Sequence, residues 1–224
     1  MINIAIDGPA GAGKSTIARL LAEKLGILYL DTGAMYRAIG LKALRQGIDR
    51  RSEPAMAAML DQTDLQIRFI SKHQQVLLDG EDVSDLIRTP EVSIAASDVS
   101  VLTVVRLRLV DLQRRIAAVQ DLILDGRDIG TYVLPDASDK FFLTADTGER
   151  ARRRLLDLRS RGDQAATLEQ VLEDMIYRDH QDSSRALAPL RQAEDAVLVD
   201  TTGRSVEDVV AVVLQHLDHS GRCL

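Results

Sequence analysis

The sequence predicts an α/β fold in which a parallel sheet is covered by helices on both faces. Three observations predict it: short apolar runs recur along the 224 residues, stretches with apolar residues at helical spacing follow them, and glycines close two of those stretches. Strands buried on both faces form continuous apolar runs, and helices between such strands make them parallel. At about 150 residues per domain, the length favours one substantial domain with an insert or a lid.

The first half of the chain begins with two strand–helix units. Isoleucines at 2–6 predict a strand that leads directly into a glycine-rich loop, and apolar residues over 17–25 predict the helix that follows. Gly26 ends this helix. A second apolar run at 27–30 predicts another strand, which the helical stretch from Ala34 to Gln46 follows.

The pattern changes between Ser52 and Asp98. Ser52-Glu53-Pro54 is typical of a helix start, and apolar and polar residues alternate over 65–69, as in a strand with one exposed face. A polar turn at 72–75 separates this strand from the apolar run at 76–78. We therefore expect a small antiparallel insert in this part of the chain.

The strand–helix alternation then resumes. The remaining predicted elements are a helix over 103–119, strands at 122–124 and 141–143, helices over 147–161 and 167–177, a strand at 196–199 and a helix over 205–217. Apolar residues are sparse between Gly162 and Gln192, so we expect that segment to be a mobile element.

Composition excludes several classes of protein. The net charge is −6, from 28 basic and 34 acidic residues, which argues against a surface that attracts nucleic acid or anionic membranes as a whole. Aromatic residues make up only 3%, which argues against base stacking as the main recognition device. Of the basic residues, 23 are arginine and 5 are lysine.

The single cysteine, Cys223, excludes a disulfide framework or a multi-cysteine zinc site within one chain. The N-terminus lacks the charged region and cleavage site of a signal peptide. No apolar run approaches the roughly 18 residues that span a bilayer. We expect a cytoplasmic protein.

The glycine-rich loop carries the strongest chemical motif. Gly8-x-x-x-x-Gly13-Lys14-Ser15 lies after a predicted strand and before a helix, the context that a phosphate-binding loop needs. Glycines let backbone N–H groups converge on phosphate oxygens, and the helix N-terminus adds positive potential. We expect Lys14 to reach the transferred phosphate and the Ser15 hydroxyl to ligate Mg²⁺. The predicted ATP-binding residues of this loop are Gly8, Pro9, Ala10, Gly11, Ala12, Gly13, Lys14, Ser15 and Thr16.

Other nucleotide-binding classes fit less well. A switch GTPase needs an [NT]KxD motif, and none occurs; the DxxG match at 200–203 comes too late in the chain. A motor or transport ATPase normally needs a longer chain. A small P-loop kinase remains, in which positioning and charge neutralisation by arginines carry the catalysis.

Four further blocks occur in a characteristic order. They are Asp31-Thr32-Gly33-Ala34-Met35-Tyr36-Arg37, Pro90-Glu91-Val92-Ser93, Asp125-Gly126-Arg127-Asp128-Ile129-Gly130-Thr131, and Arg178-Asp179 leading through Asp182 to Arg185-Ala186-Leu187-Ala188-Pro189. Together with the P-loop they resemble bacterial cytidylate kinases, and the resemblance spans residues 2 to about 213.

The resemblance implies a P-loop kinase fold and a reaction. The P-loop core would comprise residues 1–33, 99–150 and 190–224, the segment binding the nucleoside monophosphate residues 34–98, and the lid residues 151–189. The enzyme would transfer a phosphoryl group from ATP to CMP or dCMP with Mg²⁺.

The resemblance also implies roles for single residues. The acceptor phosphate would be held by Arg37, Arg127 and the Thr32 hydroxyl, because guanidinium groups match phosphate geometry and neutralise its charge. An ionised carboxylate selects cytosine, since it accepts from the amino group at C4 and repels the carbonyl of uracil. By similarity that carboxylate is Asp128, with Ser97 assisting and Arg106 donating to the acceptor edge of the base.

Three further positions match the ribose site and the lid. Arg178 and Asp182 match the residues that hold the ribose hydroxyls, and Arg185 reaches from the lid. Arg153 is the arginine of its helix that we expect to turn towards ATP. The expected catalytic residues are Lys14, Arg37, Arg127, Arg178 and Arg185. His180-Gln181 and Ser183-Ser184 depart from the family pattern, so the lid carries less positive charge.

Each assignment has a plainer alternative. Asp125 and Asp128 could merely cap the turn after a strand. Arg106 could be a solvated charge on an amphipathic helix. The arginine run over 150–161 is expected to form mostly a solvated helix face, which comprises Arg150, Arg152, Arg153, Arg154, Arg159 and Arg161.

Alternatives also remain for the function as a whole. One is a P-loop kinase for another small acceptor, such as UMP, AMP or shikimate. Another is a regulator that binds ATP without transferring phosphate. We expect ATP and CMP or dCMP as partners, no nucleic acid, no membrane, and a monomer.

Overall fold

The computed structural model of the protein describes residues 1–160 and 162–219, so Arg161 and Cys223 lie outside the described residues. Within these ranges the strands are β1 (Asn3–Asp7), β2 (Leu28–Asp31), β3 (Leu65–Ile70), β4 (His73–Leu78), β5 (Glu81–Asp82), β6 (Leu122–Gly126), β7 (Asp139–Thr144) and β8 (Val197–Asp200). The helices are α1 (Lys14–Leu25), α2 (Thr32–Arg45), α3 (Glu53–Asp61), α4 (Pro90–Ser100), α5 (Thr103–Ala117), α6 (Thr147–Ser160), α7 (Leu168–Ser184) and α8 (Val206–His219).

The main sheet has five strands in the order β2-β6-β1-β7-β8, all parallel. Side chains alternate between its two faces. Ile4 and Ile123 pack with α1 and α8, whereas Ala5 and Leu124 pack with α2, α3 and α5. Helices therefore cover both faces, which confirms the predicted α/β class.

A second, antiparallel sheet of three strands has the order β3-β4-β5. Residues of β3 alternate between half-buried and exposed, as the sequence predicts. Val76 and Leu78 of β4 pack with Ala34, Ala38 and Leu41 of α2, so this sheet is fixed to the helix that follows β2.

Two helices differ from the sequence prediction. Helix α4 was not predicted, because small and polar residues are buried on most of its sides and it shows no apolar stripe; Thr89 caps it and Pro90 begins it. Helix α7 runs to Ser184 rather than ending at Tyr177. Its second half carries Arg178 and Asp182, which face a cavity, so apolar periodicity cannot mark it.

Within the described ranges, no helix combines the length and the apolar character needed to cross a bilayer.

Helices α2 and α4 cross at very short range. A Cβ on Gly40 of α2 would lie 2.9 Å from the backbone nitrogen of Ala96 and 3.0 Å from the carbonyl carbon of Ala95. Both neighbours are backbone atoms and cannot rotate away. Glycine at position 40 therefore sets the distance between the two helices.

Gly40→Ala should lower the free energy of unfolding by about 1–3 kcal/mol, because the added methyl group forces the helices apart. Helix propensity alone would raise it by about 1 kcal/mol. Urea unfolding measures the change. Ala211→Gly at an exposed position of α8 is the matched control and should destabilise by about 1 kcal/mol. A Gly40→Ala protein more stable than the wild type would contradict the close crossing.

Candidate active site

A cavity of about 840 Å³ lies where β1, β2 and β6 end. In open parallel sheets, ligands bind outside the carboxyl ends of the strands. The cavity brings together most of the residues that the sequence singles out: Ala10, Gly11, Ala12, Gly13, Lys14, Ser15, Thr16, Thr32, Arg37, Ser97, Arg127, Asp128, Arg153, Arg178, Asp182 and Arg185. Three of the singled-out residues do not line the cavity: Gly8, Pro9 and Arg106.

The loop between β1 and α1 requires glycine at its first position. Gly8 has a φ of 145°, and a Cβ there would lie 2.0 Å from the Leu143 carbonyl oxygen. Gly13 is left-handed and α1 begins immediately after it, at Lys14. The N-terminus of α1 therefore opens into the cavity, where its free N–H groups favour an anion.

The Lys14 side chain curls back over this loop. Its Nζ donates to the Pro9 carbonyl oxygen at 2.8 Å, and only 6% of the residue is exposed. Burial and the nearby Arg127 guanidinium hold the pKa of Lys14 well below its usual range. The nearby Asp125 and Asp7 carboxylates offset this effect in part, and an incoming phosphate would add further negative charge.

Three neighbouring strands each present an aspartate at this edge. Asp7 is the last residue of β1, Asp31 is the last residue of β2, and Asp125 lies beside Asp31 in the sheet register. Burial raises the pKa of Asp125 to about 7, and the Asp31 charge adds to the effect. The Tyr29 hydroxyl donates to Asp125 at 3.2 Å.

Asp31 has its own cations. Arg88 donates to its carboxylate at 2.8 Å and Arg37 lies 3.5 Å away. Burial opposes ionisation of Asp31, but these two arginines outweigh it and lower its pKa. Sequence reasoning missed Arg88, which also lines the cavity; its position just before the Pro90 block was the available signal.

Arginines from several distant segments of the chain line the cavity. Arg178 of α7 lies near Arg127, Arg37 and Arg154, and burial together with these cations lowers the pKa of Arg178 to about 9. Burial and Arg106 lower the pKa of Arg185 to about 10. Crowded, buried guanidinium groups stabilise a polyanion strongly when one enters.

Asp182 joins α7 to the turn after β6. Its Oδ2 accepts from Arg127 Nε at 2.6 Å, and its Oδ1 accepts from Arg185. Asp182 is buried, and each of its carboxylate oxygens accepts a hydrogen bond from a guanidinium group. It places Arg127 and Arg185 next to each other on the cavity wall.

Asp128 and Arg106 form a buried ion pair at the other end of the cavity. Arg106 is fully buried and does not line the cavity, so it is not a solvated charge, and it faces the carboxylate of Asp128 instead of the open space. The Asp128 side chain does not cap the turn that follows it. The Ser97 hydroxyl is buried and has no hydrogen-bond partner.

The Thr32 hydroxyl, which the family resemblance assigns to the acceptor phosphate, already has a partner in this structure. Its Oγ1 donates to the Asp125 carbonyl oxygen at 2.7 Å, and the residue is buried. In this arrangement Thr32 ties α2 to β6, and its hydroxyl has no proton left to donate to a phosphate.

The arginines of helix α6 were expected to form mostly a solvated face, and for one of them this is wrong. Arg150 is buried, not solvated: its guanidinium donates to the Ala10 carbonyl oxygen at 3.0 Å and to Asp179 at 2.6 Å. It links the P-loop to α7. Arg153 lines the cavity, as expected, and donates to Thr201 Oγ1 at 2.8 Å and to the Thr201 carbonyl oxygen at 2.7 Å.

Oxygen ligands suitable for a hard cation also face the cavity. Ser15 and Asp125 both line it, and among the described residues no cluster of three or more histidine, cysteine or acidic side chains could hold a metal alone. Mg²⁺ usually takes one or two protein oxygens and completes its shell with water and substrate phosphates. The residues present therefore fit a magnesium ion that enters with a nucleotide.

Comparisons with known proteins agree on one family. The family model described as cytidylate kinase matches residues 4–219. The chain is 54% identical to a cytidylate kinase of Caldicellulosiruptor saccharolyticus over 96% of its length and 94% of the relative. It is 47% identical to a cytidylate kinase of Clostridioides difficile over 96% of its length and 97% of the relative.

Solved structures support the fold. An uncharacterized protein from Eubacterium ventriosum gives a TM-score of 0.54 at 13% identity, covering 97% of this chain and 99% of that one. A gluconokinase from Sinorhizobium meliloti gives a TM-score of 0.50 at 13% identity, covering 97% and 92%. These likenesses concern the fold alone.

The raised pKa of Asp125 predicts a loss of stability with rising pH. Its folded pKa of about 7 exceeds its ordinary value of 3.8. The folded protein therefore binds a proton that the unfolded chain has released, and stability falls between about pH 4 and pH 7, by up to about 4 kcal/mol. Urea unfolding from about pH 4 to 8, without nucleotide or magnesium, measures this. Asp125→Asn should flatten the decline; identical slopes for the two proteins would refute the assignment.

Proposed function

The chain belongs to the cytidylate kinase family, and we propose on that basis that it transfers the γ-phosphoryl group of ATP to CMP or dCMP, giving ADP and CDP or dCDP. The matches to the family model and to its curated members confirm the resemblance that the sequence motifs indicated. The observation that carries the proposal is that one cavity is lined by the P-loop, by the arginine cluster and by Asp128 and Ser97. The arginine cluster comprises Arg37, Arg127, Arg178 and Arg185.

The P-loop end of the cavity suits the donor. Backbone N–H groups at the start of α1 and the Lys14 ammonium group would hold the ATP phosphates. Arg153, on the same side, would contact ATP as the sequence predicts. Arg150 fixes the Ala10 carbonyl and so stabilises the conformation of the loop.

The arginine cluster suits the transfer step. The nucleophile would be an oxygen of the acceptor phosphate, which is already ionised, so no general base is needed. Arg37 and Arg127 would hold that phosphate, and Arg178 and Arg185 would neutralise charge that develops between the two substrates. Their lowered pKa values and close packing suit a site designed for two anions.

Mg²⁺ would accompany ATP. Ser15 would ligate it, and Asp125 would hold its water ligands. When bound, the ion withdraws charge from the phosphate oxygens.

The opposite end of the cavity suits cytosine. The Asp128 carboxylate, with Arg106 behind it, would accept from the amino group of the base. Ser97 has an unpartnered buried hydroxyl to contribute. A direct contact of Arg106 with the base requires its guanidinium to turn from Asp128. Asp182 and Arg178 would hold the ribose, and Thr32 would contact the acceptor phosphate only after giving up its bond to the Asp125 carbonyl.

The remaining expectations concern organisation and setting. We propose residues 34–98 as the monophosphate-binding segment and 151–189 as a lid on a core of 1–33, 99–150 and 190–224. We further propose a cytoplasmic monomer with no nucleic-acid or membrane partner; size-exclusion chromatography with light scattering tests the monomer.

A coupled assay that measures ADP release tests the reaction. With ATP and Mg²⁺, kcat/KM should be highest for CMP or dCMP and lower for UMP, AMP and shikimate. Uracil has a carbonyl where cytosine has an amino donor, adenine carries its amino group on a larger ring system, and shikimate has no base. Higher turnover of AMP or shikimate would refute the assignment. ATP binding without turnover of any acceptor would favour a regulator.

Asp128→Asn should relax the choice of base. Asparagine keeps one acceptor and adds a donor that can face the carbonyl of uracil, so the CMP-to-UMP ratio of kcat/KM should fall about tenfold or more. Steady-state kinetics with both acceptors measure it. An unchanged ratio would show that Asp128 does not contact the base.

A further inference from the structure

One buried carboxylate beside the active site has no task in the reaction described above. Asp7 ends β1 immediately before the P-loop, and only 5% of it is exposed. Burying an isolated carboxylate is strongly unfavourable unless hydrogen bonds compensate it. Its partners should therefore show what it does.

Both oxygens of Asp7 bind the turn that follows Asp128. The backbone N–H of Ile129 donates to Oδ1 at 2.8 Å and that of Gly130 donates to Oδ2 at 2.8 Å, across a sequence separation of more than 120 residues. Both bonds are buried. The carboxylate thus binds the turn through two charge-assisted hydrogen bonds.

These two N–H groups are the ones that a helical turn leaves without a partner. Residues Ile129–Val133 form a single π-helical turn, closed by bonds from Tyr132 and Val133 to the Asp128 carbonyl oxygen. The first N–H groups of any helical turn need an outside acceptor, and an aspartate at the N-cap position ordinarily supplies it. Asp128 occupies that position, yet its side chain makes no such bond.

The Asp128 carboxylate is directed elsewhere. It pairs with the fully buried Arg106 and lines the cavity. It can do so because Asp7 already satisfies the N–H groups that would otherwise attract it.

We propose that Asp7 is a positioning residue that caps the 129–133 turn in place of Asp128 and so leaves the Asp128 carboxylate free to contact the acceptor base. The inference deepens the proposed function and rests on it, since it assumes that Asp128 contacts the base. Asp7 itself does not line the cavity. It also joins the strand that carries the P-loop to the turn that carries the base contact.

Asp7→Asn tests this with little change of shape. The amide keeps one acceptor oxygen and turns an N–H donor towards one of the two backbone N–H groups. That backbone N–H loses its acceptor and attracts the Asp128 carboxylate instead. The CMP-to-UMP ratio of kcat/KM should fall about fivefold to tenfold. The dissociation constant of ATP, measured by calorimetry, should change less than this ratio, because Asp7 hydrogen-bonds the turn directly and acts on the donor site only through its charge near Lys14.

Thr131→Val is the matched control in the same turn. The Thr131 hydroxyl is buried and has no hydrogen-bond partner, so an isosteric apolar side chain should leave the ratio within about twofold of the wild type. A control variant that lowers the ratio as much as Asp7→Asn would show general sensitivity of the turn and overturn the proposal.

A double-mutant cycle separates positioning from any other effect. If Asp7 acts through Asp128, Asp7→Asn should have no further effect on the ratio in the Asp128→Asn background. The same loss in both backgrounds would overturn the proposal.

The cycle also separates the two levels of inference. If Asp128→Asn alone leaves the ratio unchanged, the base contact in the proposed function fails. If Asp128→Asn lowers the ratio and Asp7→Asn does not, only the present inference fails.

A measurement on the wild type covers the case in which Asp7→Asn does not fold. The amide protons of Ile129 and Gly130 donate to one carboxylate, so their NMR shifts should move together with a midpoint near pH 6, the range to which burial raises the pKa of Asp7. Lys14, Asp128 and Lys140 lie around this carboxylate, and the same titration in Asp128→Asn removes the contribution of Asp128. Different midpoints for the two amide protons, or no response of either proton at any pH at which the protein stays folded, would overturn the proposal.

Discussion

Buried charge at the carboxyl ends of three adjacent strands is the constraint on which the rest of the structure depends. Asp31 and Asp125 lie side by side where β2 and β6 end, and Asp7 lies at the end of β1, level with the residue after Asp125. Each carboxylate loses its hydration there and needs a compensating partner. Because the partners come from distant segments, satisfying the charges also brings those segments together around the cavity.

The partners differ in kind. Asp7 accepts hydrogen bonds from two backbone N–H groups, and Asp31 forms ion pairs with two arginines. Asp125 accepts a hydrogen bond from the Tyr29 hydroxyl and is attracted by the positive charge of Lys14. Backbone partners fix a turn, whereas arginines can change partner when a phosphate arrives. The same edge of the sheet therefore combines a fixed part and an adjustable part.

The balance of charge in the cavity differs from that of the whole chain. The net charge of −6 describes the average surface, while the cavity wall holds a concentration of arginines. Asp182 offsets part of it by pairing with Arg127 and Arg185. Burial, together with repulsion from the neighbouring arginines, lowers the pKa of Arg178, and two nucleotides would relieve that repulsion.

The sequence alone determined the layered α/β class, the phosphate-binding loop and the family, because strand alternation, glycine spacing and ordered motifs are local properties of the chain. Most of the site residues that it indicated line the cavity, including Arg37, Arg127 and Asp128. It missed α4, whose burial on most sides leaves no periodic pattern, and it placed Arg150 in solvent. Only the tertiary structure showed that Arg106 lies behind Asp128 and that Asp7 caps the turn after it. Those pairings join residues far apart in the chain, and no local pattern specifies which buried charge meets which partner.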